Sequence, residues 1–82
     1  MSTLKTGDLA FYDCFGGPVP CKVLSIEGPS GPASSEQSVR VRLTATRGPW
    51  RRGEELQHWG LHVVPRDALR GNRILPYSVQ AD

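Results

Sequence analysis

Cysteine is scarce in this chain: Cys14 and Cys21 are the only two in 82 residues. That is too few for the disulfide framework that staples secreted mini-proteins. Long apolar runs are missing as well, so neither a membrane-spanning helix nor a membrane partner is expected. The opening Met-Ser-Thr-Leu-Lys-Thr-Gly has no apolar core of the kind a signal peptide carries. No heptad, internal repeat or sustained 3.6-residue apolar period is present, so helices longer than a turn are not expected. Aromatic residues make up only 7% of the chain, and neither charge sign dominates, with a formal net charge of +2. A chain of this size removes only roughly 60% of its unfolded surface from water, so the core is small and self-association would add to it.

Charge carries more information by region than in total. Residues 1–36 hold Lys5 and Lys22 against Asp8, Asp13, Glu27 and Glu36, whereas 37–73 hold eight arginines against Glu54, Glu55 and Asp67. Every base of that second region is arginine, which pairs bidentately with carboxylate or phosphate and stacks on aromatic rings better than lysine does. Ordinary solvated surface pairing is the alternative reading of the same residues.

The stretch from Val39 to Trp59 organises the rest. Val39, Val41, Leu43 and Ala45 alternate with Arg40, Arg42, Thr44 and Thr46, which predicts a strand with one core face and one basic face. Gly48-Pro49 and Gly53 then mark a turn, and the chain returns through Leu56 and Trp59 as the second arm of a long hairpin. Trp50 sits at the tip between Arg47 and the pair Arg51-Arg52 and is expected to be exposed. Exposed tryptophan beside arginine is the pairing most enriched at binding hot spots, so Arg40, Arg42, Arg47, Trp50, Arg51 and Arg52 are the candidate binding residues.

Before this hairpin, Leu9–Tyr12 predicts a short strand with Leu9 and Phe11 facing the core, and Gly16-Gly17-Pro18 breaks the ladder ahead of a second strand reaching Glu27. In that second strand Val23, Leu24 and Ile26 break alternation, as a bend or a bulge would require. Residues 28–37 are Gly, Pro and Ser rich and read as a flexible loop. After the hairpin, His62-Val63-Val64 suits a short last strand, and Pro65 presets a single helical turn that ends at Leu69. Residues 71–82 lack periodicity yet contain Ile74, Leu75, Tyr77 and Val79, and read as a tail that something must hold, with a neighbouring subunit as one candidate. Five short strands with Gly and Pro turns predict an all-β domain, a small five-stranded barrel over 1–70 followed by the tail at 71–82.

The order Lys5-Thr6-Gly7-Asp8-Leu9, then Cys21 to Ile26, then Val39 to Arg42, then His62 to Leu69 resembles the SH3-like barrels, including the Tudor and KOW-type domains. The resemblance covers roughly residues 5–70 and implies a barrel closed by a short strand, a helical turn and a leucine; it assigns no function by itself. Within that fold class the type II dihydrofolate reductases are similar at the Gly7-Asp8 start and at Pro65-Arg66-Asp67-Ala68-Leu69. That family lines its active pore with Val-Gln-Ile-Tyr, where this chain has Leu61-His62-Val63-Val64, so the polar groups that place cofactor and substrate are not carried over.

Other chemistry has a plainer counterpart in each case. Cys14, Cys21, His58 and His62 contain the four soft ligands of a zinc site, but the cysteine spacing is wider than zinc signatures use, and unconnected side chains are the expectation. Cys14 with a histidine would make a nucleophile and base only if the fold joined them. Phe11, Tyr12, Phe15, Trp50, Trp59 and Tyr77 are the rings from which an aromatic cage for a methylated cation could be built; Phe11 and Trp59 are expected in the core instead. The expectation is therefore no catalysis, no cofactor and no metal. A protein-binding or assembly module comes first, using the Trp50 tip, the edge strands and the C-terminal tail to contact another protein or copies of itself, as a small structural or accessory protein of a phage or mobile element would, in the host cytoplasm or the virion. A nucleic-acid binder using the arginine-rich hairpin is the alternative, although its pI of 8.8 is modest for that role.

Overall fold

The computed structural model describes residues 2–14 and 16–82. The chain is all-β: β1 (Ser2–Leu4), β2 (Leu9–Tyr12), β3 (Val19–Glu27), β4 (Gly31–Pro32), β5 (Ser38–Leu43), β6 (Glu55–Trp59), β7 (Val63–Pro65), β8 (Leu69–Arg70), β9 (Arg73–Ile74) and β10 (Tyr77–Val79). Two 3-10 turns, Gly60–His62 and Arg66–Ala68, flank β7. The main sheet has five strands in the order β6-β5-β3-β2-β7, so β6 and β7 are its edges. A second sheet runs β1-β10-β4, and β8 with β9 forms a two-stranded hairpin.

Alternation on β5 places Val39, Val41 and Leu43 in the core and leaves Arg40 and Arg42 exposed, the division that its period-two pattern demands. On β3 the pairing jumps from Val23 opposite Val41 to Ser25 opposite Arg40, so Leu24 is a bulge. The extra residue lets Val23 and Ile26 both point inward, each 1% exposed, despite their odd spacing. On β2 the expected face is reversed: Ala10 and Tyr12 are buried and Leu9 is 51% exposed. Leu-Ala-Phe-Tyr is apolar at both parities, so its own pattern could not select a face; pairing to β3 and β7 on either side does.

The core is built mainly from β-branched and leucine side chains, with Leu4, Val19, Val39, Val41, Val63 and Val64 at 0% exposure. Its two large rings are Tyr12 and Tyr77. Phe11 is half-buried and Trp59 is 52% exposed, so neither is the core residue expected. An interior this narrow accepts valines layer by layer, whereas tryptophan is rarely buried completely even in larger proteins.

Residues 28–37 are drawn together by Gln37, which is 2% exposed. Its Oε1 accepts the Ser34 N–H at 2.8 Å, and its Nε2 donates to the carbonyls of Pro29 (3.2 Å) and Pro32 (3.0 Å). A buried amide with each hydrogen placed is a strong local constraint, and a loop read as flexible from composition acquires a centre. The last residues are held within the chain itself. β10 lies between β1 and β4, Tyr77 Oη donates to the Gly60 carbonyl at 2.7 Å, and Asp82 Oδ2 accepts the Ile26 N–H at 3.0 Å.

Candidate functional site

The Trp50 ring at the hairpin tip does not stand out into solvent. β5 ends at Leu43, whose N–H donates to the Glu54 carbonyl at 2.8 Å, and the intervening loop carries a tight turn in which Arg47 and Trp50 exchange backbone hydrogen bonds of 2.9 Å. Gly48 at φ 56° makes that turn, a conformation glycine adopts without strain. The turn folds back so that Trp50 meets Tyr12 edge to face, with centroids 5.3 Å apart at 84°, and packs against the core. Trp50 is thus half-buried, where exposure was expected. Its apolar area found a ring to cover it, a long-range contact invisible in the local run of Gly, Pro and Arg.

The candidate arginines divide in the same way. Arg47 donates from Nη1 to the Pro18 carbonyl at 2.7 Å, tying the tip to the loop before β3. Arg42 pairs with Glu55 across the hairpin, Nη2 to Oε2 at 2.7 Å, which holds the Glu55 carboxyl below its ordinary range. Both side chains of that pair are about half exposed, so the bond adds little stability. Arg40 lies on the same outward face, opposite Gln57 and Ser25. Arg51 and Arg52 are exposed, with backbone N–H groups donating to Glu54 Oε2 (3.3 Å) and Thr46 Oγ1 (3.0 Å). Arg40 and Arg42 share a face; Arg47 and Trp50 are drawn back against the body.

The exposed apolar surface gathers at the opposite end of β6. Trp59 at 52%, Leu61 at 37% and Ile74 at 43% are, with Leu9, the large hydrophobic residues left in solvent among those described. Trp59 lies over His62, near parallel at 29° with centroids 6.0 Å apart, and the two histidine rings are 4.5 Å apart edge to face. Ser38, Gln57, His58, Trp59 and His62 line an open depression of about 510 Å³. Beyond Leu61 a more apolar groove of about 350 Å³ is lined by Pro32, Ala33, Ile74, Leu75, Pro76 and Tyr77. The chain enters this corner because Gly60 N–H donates to the Gln37 carbonyl and Gly60 sits against the Gln37 side chain, where an added Cβ would come within 2.5 Å of Oε1.

Tautomers follow from the hydrogen bonds. His58 Nδ1 accepts the Trp59 N–H at 2.8 Å, so neutral His58 carries its proton on Nε2; His62 Nδ1 lies 3.3 Å from the Asp13 carbonyl and donates to it. Burial, then the nearby His62, pushes the His58 pKa down. An imidazole protonated on Nε2 with Nδ1 already accepting a hydrogen bond has no lone pair for a metal. Among the described residues no three His, Cys, Asp or Glu side chains gather as a metal site would need. Cys21 is in the core, its thiol pushed up to about 12 by burial, which disfavours the thiolate a nucleophile or ligand requires. Phe15, one of the rings considered for an aromatic cage, lies outside the described residues.

The sequence offers His58 and His62 as zinc candidates, Trp59 as a core or aromatic-cage ring and Ile74 as part of an apolar tail, but no local pattern sets Trp59, Leu61 and Ile74 together as a binding surface. The available signal was Trp59 at the end of a strand, directly before Gly60, where the chain turns and an outward residue keeps its exposure. Protein-family models, curated proteins and solved structures were all compared with the chain, and none of the three comparisons returned a match.

Proposed function

We propose that this chain is an SH3-like barrel acting as a non-catalytic protein-binding or assembly module, with its contact surface at the Trp59–Leu61 corner and the adjoining groove. The strand order, the short β7 followed by a single 3-10 turn and Leu69, and the Gly7-Asp8 entry support the barrel reading. The observation that carries the function is the exposure of Trp59 beside Leu61 and Ile74. Burying side chains of this size stabilises a contact by roughly 1.5–3 kcal/mol each, before the losses of association are counted. Aromatic anchors within a polar rim are the usual centre of protein interfaces.

Nucleic-acid binding is the second reading, favoured by Arg40, Arg51 and Arg52, which make no ion pair with a carboxylate among the described residues. Against it, Arg42 and Arg47 are engaged within the chain and Trp50 lies on Tyr12 rather than out where a base would stack. Light scattering at low and high salt, with and without a generic DNA or RNA oligonucleotide, separates the two. A stable oligomer indifferent to both supports the assembly module. A monomer forming a salt-sensitive complex with the oligonucleotide overturns it, because phosphate contacts weaken steeply as salt rises.

A further inference from the structure

β6 is an edge strand with little to guard it: Glu55 is its one carboxylate, and the Trp59 N–H is already taken by His58 Nδ1. Sheet edges are commonly blunted by proline, lysine or a bulge. The opposite edge, β7, ends on Pro65, while β6 reads Glu-Leu-Gln-His-Trp in regular register with β5 and has none of these. The hydrogen bonds at its two ends, Leu43 N–H to the Glu54 carbonyl and Gly60 N–H to the Gln37 carbonyl, set which backbone groups face inward. By antiparallel alternation Leu56 and His58 bond toward β5, and the N–H and C=O groups of Glu55, Gln57 and Trp59 point away from the sheet. The core face of this strand is also unfinished: Leu56 and His58 are half-buried, while their neighbours on β5, Val39 and Val41, are at 0%.

We infer that β6 pairs antiparallel with β6 of a second copy of this chain, about a two-fold axis at Gln57, an inference that rests on the assembly reading and names its partner. Among registers centred on an outward-facing residue, the residues select one. Centring on Glu55 would set two carboxylates opposite each other, and centring on Trp59 would place the pair where the chain has already turned into Gly60–His62. Centring on Gln57 uses the outward-facing groups of Glu55 and Gln57 and the Trp59 carbonyl, the Trp59 N–H being held by His58 Nδ1. Gln57 meets Gln57 of the second copy in a mutual hydrogen-bonded pair, and Glu55 lies opposite Trp59 of the second copy. On the inner face, Leu56 comes to lie opposite His58 of the second copy, covering the two half-buried side chains at once. The Trp59 N–H keeps its bond to His58 Nδ1, so the ladder is anchored at its centre rather than at its ends.

The test uses the full chain. Wild-type protein is expected to show twice the mass of one chain by light scattering. Gln57→Pro should halve that mass while leaving the circular dichroism spectrum that of the folded chain, since the Gln57 N–H takes no part in pairing with β5, although the variant gives up the Gln57 Nε2 bond to Ser38 Oγ. Gln57→Cys should form an intermolecular disulfide under mild oxidation, the two Cα atoms of a hydrogen-bonded pair being about 5.5 Å apart. Glu55→Cys should not, because in this register its two copies lie about 14 Å apart along the strands. A wild-type oligomer that survives Gln57→Pro, with no Gln57→Cys dimer above the wild-type background, overturns the edge pairing and leaves assembly through the apolar groove standing. A wild-type monomer at every concentration overturns the edge pairing and also self-assembly.

Discussion

The two ends of β6 treat the same residue type in opposite ways. At the turn end Trp50 is folded down on Tyr12, and at the open end Trp59 stands half in solvent over His62. Sequence context suggested the reverse. Trp50 is surrounded by Gly, Pro and Arg, which speak of a surface turn, but a turn of that kind is compliant and can bend a ring back to the nearest uncovered aromatic. Trp59 ends a regular strand whose register is set by pairing to Ser38, and a strand cannot rotate one side chain inward without rotating all of them. An irregular turn therefore buried its tryptophan, and a regular strand left its own exposed.

That contrast can be broken from several directions. The largest effect is expected beneath the open end. Gln37→Ala would leave the Ser34 N–H and the Pro29 and Pro32 carbonyls short of partners and should lower unfolding stability by about 3 kcal/mol, read from the urea midpoint. A loss under about 0.5 kcal/mol would mean that the corner around Gly60 is not organised by this amide. Next comes Trp50→Ala, which removes a half-buried ring and its edge-to-face contact and should cost about 2 kcal/mol. If Trp50→Ala is neutral to stability, the tip is only resting on the body and the contrast fails.

A smaller effect is expected from pH. The His58 pKa is depressed by burial and by His62, so the unfolded chain binds the proton more readily than the folded one. Stability from this residue is complete above the ordinary histidine value of 6.5, falls as pH drops through it, and levels off below the folded value. Thermal midpoints measured from about pH 7.5 down to 5 should decline in the wild type and less so in His58→Gln; parallel curves would remove His58 from the account. Trp59→Ala should change monomer stability by less than about 0.5 kcal/mol while weakening any protein contact made through the corner. Equal binding by this variant would move the contact surface elsewhere. Smallest of all is Arg42→Ala, whose ion pair with Glu55 is solvent-screened and should leave the thermal midpoint where it was.

Much of the fold was legible because it rests on short-range pattern. The alternation Val39-Arg40-Val41-Arg42-Leu43 determined a strand and both its faces, the broken spacing at Val23, Leu24 and Ile26 announced a bend or a bulge, and the Gly and Pro clusters marked the turns. Those are properties of a few neighbouring residues and the period of the backbone. What only the tertiary structure decided is whatever depends on a partner distant in the chain: the face of β2, whose four apolar residues fit either way; Gln37 at the centre of a loop composed like a linker; β10 between β1 and β4; and which tryptophan is covered. The candidate site falls wholly in that second group. Exposure of Trp59 beside Leu61 and Ile74 is a relation among β6, the turn after it and β9, and no window of sequence contains all three.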